Sequence, residues 1–236
     1  MKGIRRNLSL CVVCLLVLAA ACGKADSAFL VDGQAVEKAE YIYYLQANVD
    51  KVAGLLEEAH DIHLFEEADW MVDIGGQTPL QYLKTYTVEE IARMKLEQRY
   101  AMEYGIETPI SYAQQQEAYL RAVKERARRA QEGEIQYGAD TLDFDTWFAD
   151  IYFEMKTKLL DTLAETEAFA ISETGLRSYY EDIKSQLPAS YKSFEDSRRY
   201  LYNILLDQLY EEEIDRRLQE ASIVYADMEV DIADIL

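Results

Sequence analysis

The sequence predicts a mainly α-helical protein, a single helical domain whose short N- and C-terminal strands pair with each other. Three observations predict this. Apolar residues recur at helical spacing through most of the chain. Only three prolines and ten glycines interrupt its 236 residues. The two extended-looking stretches stand at opposite ends, at Phe29–Val31 and from Ile223 onward, where they can pair and close the fold. Half of the residues are hydrophobic, which argues against disorder.

The chain begins "MKGIRRNLSLCVVCLLVLAAACGK". Lys2, Arg5 and Arg6 form a positive start, and Leu8 to Leu18 form an apolar core too short for a stable membrane span. Small residues then lead to Cys22. Residues 1–21 therefore read as a secretory signal. "LAAAC", Leu18 to Cys22, resembles a bacterial lipobox, with Ala19 where a leucine is usual. Cys22 is the expected lipidation site. The other two cysteines, Cys11 and Cys14, fall inside the signal, so the mature chain is expected to have no disulfide. Residues 22–28 read as a short tether and 29–236 as the folded domain, divided into an N-terminal part (29–170) and a C-terminal closing part (171–236). The expected location is the cell envelope, lipid-anchored on the extracytoplasmic side of the membrane.

"AFLVDGQAVEKAEYIYYLQ" reads as a small hairpin or extended arm turning at Asp32-Gly33 and leading into a helix. A second helix is started by Thr78-Pro79 and stopped by Gly105, with Val88, Ala92, Leu96, Tyr100 and Tyr104 at four-residue spacing. The third, Ser111 to Gln131, is polar. A fourth runs from about Asp143 through Phe148, Tyr152, Met155, Leu159 and Leu163. Ser172 is the expected N-cap of the fifth. The sixth follows "QLPASYKSFED", Gln186 to Asp196, where Pro188 ends one helix and Ser193 caps the next. The terminal strand is expected over Ile223, Val224, Met228 and Val230.

The formal charge is −20, and −23 once the three basic signal residues are set aside. Such a surface repels nucleic acid and anionic lipid. No phosphate-binding loop, dinucleotide fingerprint, nucleophile elbow or HExxH motif occurs. His60 and His63 have helical i, i+3 spacing, yet no third ligand is placed, so a solvated helix end is expected and no metal. "DTLDFDTW", Asp140 to Trp147, lacks the glycine and final glutamate of a calcium loop and reads as an acidic helix start. "KERARR", Lys124 to Arg129, reads as a solvated face pairing with local glutamates. No cofactor is implied. Tyr43, Trp70, Tyr82, Trp147 and Tyr152 have two readings: core residues, or the lining of a crevice that offers rigid amphipathic surface to an extended polypeptide.

Four stretches resemble one family. "AFLVDGQAVEKAEYIYYLQ", "DWMVDIGGQTPLQYLKTYTVEEIARMKLEQRYAMEYGIETPIS", "ISETGLRSYYEDIKSQLP" and "SFEDSRRYLYNILLDQLYEEEIDRRLQEASIVYADMEVDI" are similar to successive elements of the SurA and PrsA-type extracytoplasmic chaperones. The resemblance implies a helical chaperone-like domain that cradles unfolded or partly folded secreted proteins by covering their apolar surface. In many members a parvulin prolyl isomerase domain stands between the third and fourth of these elements. Here only "PASYKSFED" separates them, and the parvulin histidine pair, cysteine and GGDLG-like strand are absent, so no catalytic residue is expected. The expected function is a membrane-anchored chaperone module binding unfolded secreted polypeptides without catalysis. The alternatives are an assembly lipoprotein dedicated to one envelope partner and, further off, residual prolyl isomerase activity.

Overall fold

A computed structural model of the chain describes residues 27–135, 141–188, 190–191, 193–226 and 230–236. The signal, Cys22 and most of the tether lie outside the described residues, as do Asp140 and Met228. The fold is mainly α, with one small antiparallel sheet.

β1 (Ser27–Val31) and β2 (Gln34–Glu37) form a hairpin. Asp32 (φ 47°) and Gly33 (φ 83°) both take positive φ, the requirement of a two-residue type I′ turn that Asp-Gly meets at little cost. β3 (Ile223–Tyr225) pairs antiparallel with β1, giving the order β2-β1-β3. The expected pairing of the two ends is therefore present. Asp32 closes it twice: its N–H donates to the Ser222 carbonyl at 2.8 Å, and its carboxylate accepts the Ser222 N–H at 2.7 Å. Two corrections apply. The strand begins at Ser27, so Ser27 and Ala28 are buried sheet residues and not tether. Val230 lies outside β3, and a 3-10 turn (Ile232–Asp234) follows it.

Among the described residues six α-helices make up most of the rest: α1 (Lys38–His60), α2 (Pro79–Glu103), α3 (Tyr112–Gln131), α4 (Phe144–Leu163), α5 (Glu173–Ile183) and α6 (Phe194–Glu220). α1 follows Glu37 with no side-chain cap, and the starts of the other five are written in side chains. Thr78 and Gln81 exchange reciprocal cap hydrogen bonds (2.8 and 3.3 Å) at α2, and Ser111 and Gln114 do the same (3.1 and 3.2 Å) at α3. Asp143, Ser172 and Ser193 accept the N–H three residues on at α4, α5 and α6. Gly105 (φ 76°) ends α2 in a Schellman turn, with Ile106 N–H on the Ala101 carbonyl and Gly105 N–H on Met102. Pro188 does not end α5, which stops at Ile183 and continues only as turns.

The chain separates into two compact units, where one domain was expected. The first holds the described residues up to Lys95, Ser111–Gln114 and the described part of Ala221–Leu236. The second holds Leu96–Ile110 and Gln115–Glu220. The units therefore interleave along the sequence and do not divide it at residue 170.

In the first unit α1 buries Tyr41, Leu45, Asn48, Val52 and Leu56, a stripe at spacings of three and four. In the second, Tyr100, Met155, Leu159, Leu163, Leu206, Tyr210 and Ile214 form the main core. Leu176, Phe194 and Leu201 form a smaller one that holds α5 on α6. Each fully buried leucine or isoleucine contributes about 1.5–3 kcal/mol of burial. α3 contributes one buried residue, Gln115, as its polar sequence expects.

Candidate functional site

The first unit contains an open cleft of about 460 Å³. The β1–β3 register sets Phe29 opposite Tyr225, so both rings stand on one sheet face, their centroids 6.2 Å apart. Tyr41 from α1 meets Phe29 edge-on at 5.5 Å. The other wall is one face of α2, where Gln81, Lys84, Thr85 and Val88 follow at helical spacing. Lys84 Nζ donates to the Val230 carbonyl at 2.8 Å and pins the C-terminal tail there. Burial pushes the Tyr41 hydroxyl far above its ordinary range, so it stays protonated as a donor. Aromatic rings, amides and one ammonium can bind a polypeptide surface; they do not assemble a nucleophile with its base.

The first unit also holds a buried ion pair. Lys95 Nζ stands 2.6 Å from Glu40 Oε1, and both side chains are fully buried. Glu40 Oε2 has no hydrogen-bond partner among the described residues. Burial pushes the Glu40 carboxyl up and outweighs the Lys95 charge that opposes it.

Between α1 and α2 the chain is stapled by Asp69, whose Oδ2 accepts the N–H groups of Phe65 and Glu66, each at 2.9 Å. Those two donors hold its carboxyl below the usual range. Trp70 beside it is 1% exposed, whereas Phe65 is 84% exposed. His63 pairs with Glu57 at 2.8 Å, and His60 lies near Tyr82. Among the described residues no group of three or more His, Cys, Asp or Glu could hold a metal ion.

The second unit carries a continuous row of aromatics. Tyr119 of α3 meets Phe144 and Trp147 of α4 at 5.5 and 5.7 Å. Phe144 stacks on Phe148 at 5.9 Å, and Phe148 meets Tyr152 at 5.8 Å. The spacing 144, 148, 152 places these rings along one face of α4. Two hydroxyls fix the ends: Tyr119 donates to the Leu142 carbonyl at 2.8 Å, and Tyr152 donates to the buried Glu97 carboxylate. Phe144, Phe148 and Tyr152 keep part of their surface in solvent. Trp147 also lines a cleft of about 250 Å³ with Pro109, Ile151 and Met155. The "KERARR" run resolves into local pairs, Arg128 with Glu125 and Glu132 (2.6 and 2.5 Å) and Arg129 with Glu134 (2.5 Å).

The structure thus distributes the five sequence-chosen aromatics. Tyr43, Trp70 and Tyr82 fall in the first unit, Trp147 and Tyr152 in the second. Trp70 is a core residue, and that corrects its place in a crevice. Tyr43 packs half-buried on Tyr44 and Tyr112 (5.4 and 5.9 Å), and neither it nor Tyr82 lines the 460 Å³ cleft. The residues that do, Phe29, Tyr41 and Tyr225, depend on a cross-strand register that only the paired ends reveal. The period of α1 was the one available signal, since Tyr41 begins the stripe Leu45–Asn48–Val52.

Among the described residues no helix is long and apolar enough to cross a membrane. No protein-family model, curated protein or solved structure matches the chain.

Proposed function

We propose that this protein is a lipid-anchored, extracytoplasmic chaperone-like module that holds unfolded or partly folded secreted polypeptides reversibly and without catalysis. The observation that supports this most is the row Tyr119–Phe144–Trp147–Phe148–Tyr152, packed ring to ring around the buried Trp147, with Tyr119, Phe144, Phe148 and Tyr152 partly open to solvent. Rings held this way offer large apolar contact at little further loss of side-chain freedom, and they accept many sequences because the contact is not directional. The aromatic cleft of the first unit adds a second such surface. The resemblance of four sequence stretches to extracytoplasmic chaperones supplies the cellular setting, with Cys22 as the lipid attachment.

Light scattering tests the proposal. A chemically denatured, slightly basic client is diluted into buffer with increasing amounts of the protein. Suppression of aggregation at about equimolar protein is expected. Unchanged scattering at a large excess sinks the reading.

A further inference from the structure

We infer that the segment between α1 and α2 is a docking surface for cationic, apolar polypeptide segments, meaning stretches in which lysine or arginine flanks large hydrophobic residues. The inference rests on the chaperone reading for its setting and names the class of client that one surface selects. Three large side chains stand out from this segment: Phe65 at 84% exposure, Met71 at 57% and Val72 at 55%. They are not displayed by a loose loop. Asp69 binds the N–H groups of Phe65 and Glu66 with its carboxylate, and its own carbonyl accepts the Val72 N–H at 3.4 Å. One residue thereby holds both ends of the apolar patch together. Trp70, between Asp69 and Met71, is inserted into the core, and the turn beyond is tied by Gly76 N–H on Asp73 (3.0 Å) and Ile74 N–H on the Gln77 carbonyl (2.9 Å). A segment this well fastened keeps Phe65, Met71 and Val72 in water when a small backbone change could have turned them inward, and exposed apolar patches of this kind mark interaction sites.

Charge identifies the occupant. Between Lys51 and Lys84 the sequence has seven carboxylates and neither lysine nor arginine. Glu58, Asp61, Glu66, Glu67 and Asp73 are exposed, and none of them makes an ion pair among the described residues, where Glu57 pairs with His63. In other parts of the molecule some glutamates are matched by arginines, as in the Glu125–Arg128–Glu132 and Glu213–Arg216–Glu220 runs. Here the apolar side chains stand inside an uncompensated negative rim. Such a surface repels anionic lipid headgroups and acidic peptides, and it attracts a segment whose cations reach the rim while its apolar residues cover Phe65 and Met71.

The test uses the full chain in phosphatidylcholine nanodiscs and a fluorescent peptide of lysine and leucine, read by anisotropy. A counterpart with glutamate for lysine serves as the opposite charge. The lysine peptide is expected to bind at least about tenfold more tightly than the glutamate peptide. Phe65→Ser with Met71→Ser should weaken it about tenfold. Glu58→Lys with Glu67→Lys should weaken it several-fold and flatten its salt dependence. Ile135→Ser, an exposed apolar change in the other unit, should leave it unchanged. Because the changed side chains are exposed, the variants keep the wild-type circular dichroism. Absent binding, equal binding of the two peptides, or wild-type affinity in the segment variants overturns the inference. The chaperone reading fails separately: suppressed aggregation with no segment dependence of peptide binding removes only this surface, whereas segment-dependent binding without suppression removes the holding activity and leaves the surface.

Discussion

Lys95 Nζ and Glu40 Oε1 meet at 2.6 Å inside the first unit, and neither side chain reaches solvent. The pair links α1 to α2, and the second oxygen of Glu40 has no hydrogen-bond partner among the described residues. Burying two charges costs more than their attraction returns unless the geometry is complete, so breaking one half is severe. Lys95→Met is expected to destabilise the protein by about 3–5 kcal/mol, while Lys95→Met with Glu40→Leu recovers most of the loss. Urea denaturation of the three proteins checks this. A single variant no less stable than the double variant contradicts it.

The same pair sets a pH dependence. Burial raises the Glu40 carboxyl above its ordinary value of 4.5, against the pull of Lys95. A group raised in the folded state gives its full stability below the unfolded value, and that stability declines as pH rises through the folded value. Asp143 and Glu213 are lowered, by the Thr146 N–H and by Arg216 respectively, and act oppositely: their stability is present at neutral pH and lost on acidification. Glu40→Gln cannot ionise. Its stability relative to wild type should therefore shift steadily in the variant's favour from about pH 4.5 upward, as the ordinary glutamate range sets the lower limit. A flat difference in urea midpoints across that window contradicts the assignment.

In the second unit Arg217 lies 3.7 Å over the Tyr100 ring, forks onto both oxygens of Glu103 at 3.0 Å, and reaches Glu213 at 2.7 Å. Only a planar guanidinium can stack and fork at once. Arg217→Lys is expected to cost about 1–2 kcal/mol, whereas the same change at the exposed Arg121–Glu117 pair costs at most about 0.5 kcal/mol. Equal thermal midpoints for the two variants contradict this account.

Cys22 is the proposed lipid attachment. Cys22→Ser is expected to move the protein from the membrane pellet to the soluble extracytoplasmic fraction without changing its thermal midpoint. Continued sedimentation with membranes, or loss of acyl labelling in neither form, contradicts the anchor.

Much of this architecture was legible because it is local. Asp32-Gly33 prescribes a turn with two positive φ angles, Thr78, Asp143, Ser172 and Ser193 are helix caps in any context, and Gly105 ends a helix by supplying a left-handed residue. The "KERARR" run resolved locally for the same reason, its arginines meeting glutamates three to five residues away. What stayed hidden is set by residues far apart in the chain. Glu40 reads as an ordinary acidic residue in a first helical turn until Lys95, 55 positions on, is brought against it. Trp70 and Phe65 are both large aromatics in one acidic segment, and sequence alone does not separate the anchor from the displayed ring. Asp69, which makes the difference, acts through two backbone donors. The interleaving of the two units was equally invisible, because α2 and α3 each contribute residues to both.

The central proposal, that the protein recognises the unfolded state of its clients, is tested most directly by one titration. A fluorescently labelled secreted client, held unfolded by reduction of its disulfides, is compared with its native, oxidised form, and binding of each to the protein is followed by anisotropy. Reversible micromolar-range binding of the unfolded form, the order expected for contacts that pay the ordering cost of a disordered chain, is predicted, with no binding of the native form. Equal affinity for the two forms, or no affinity for the unfolded one, contradicts the account.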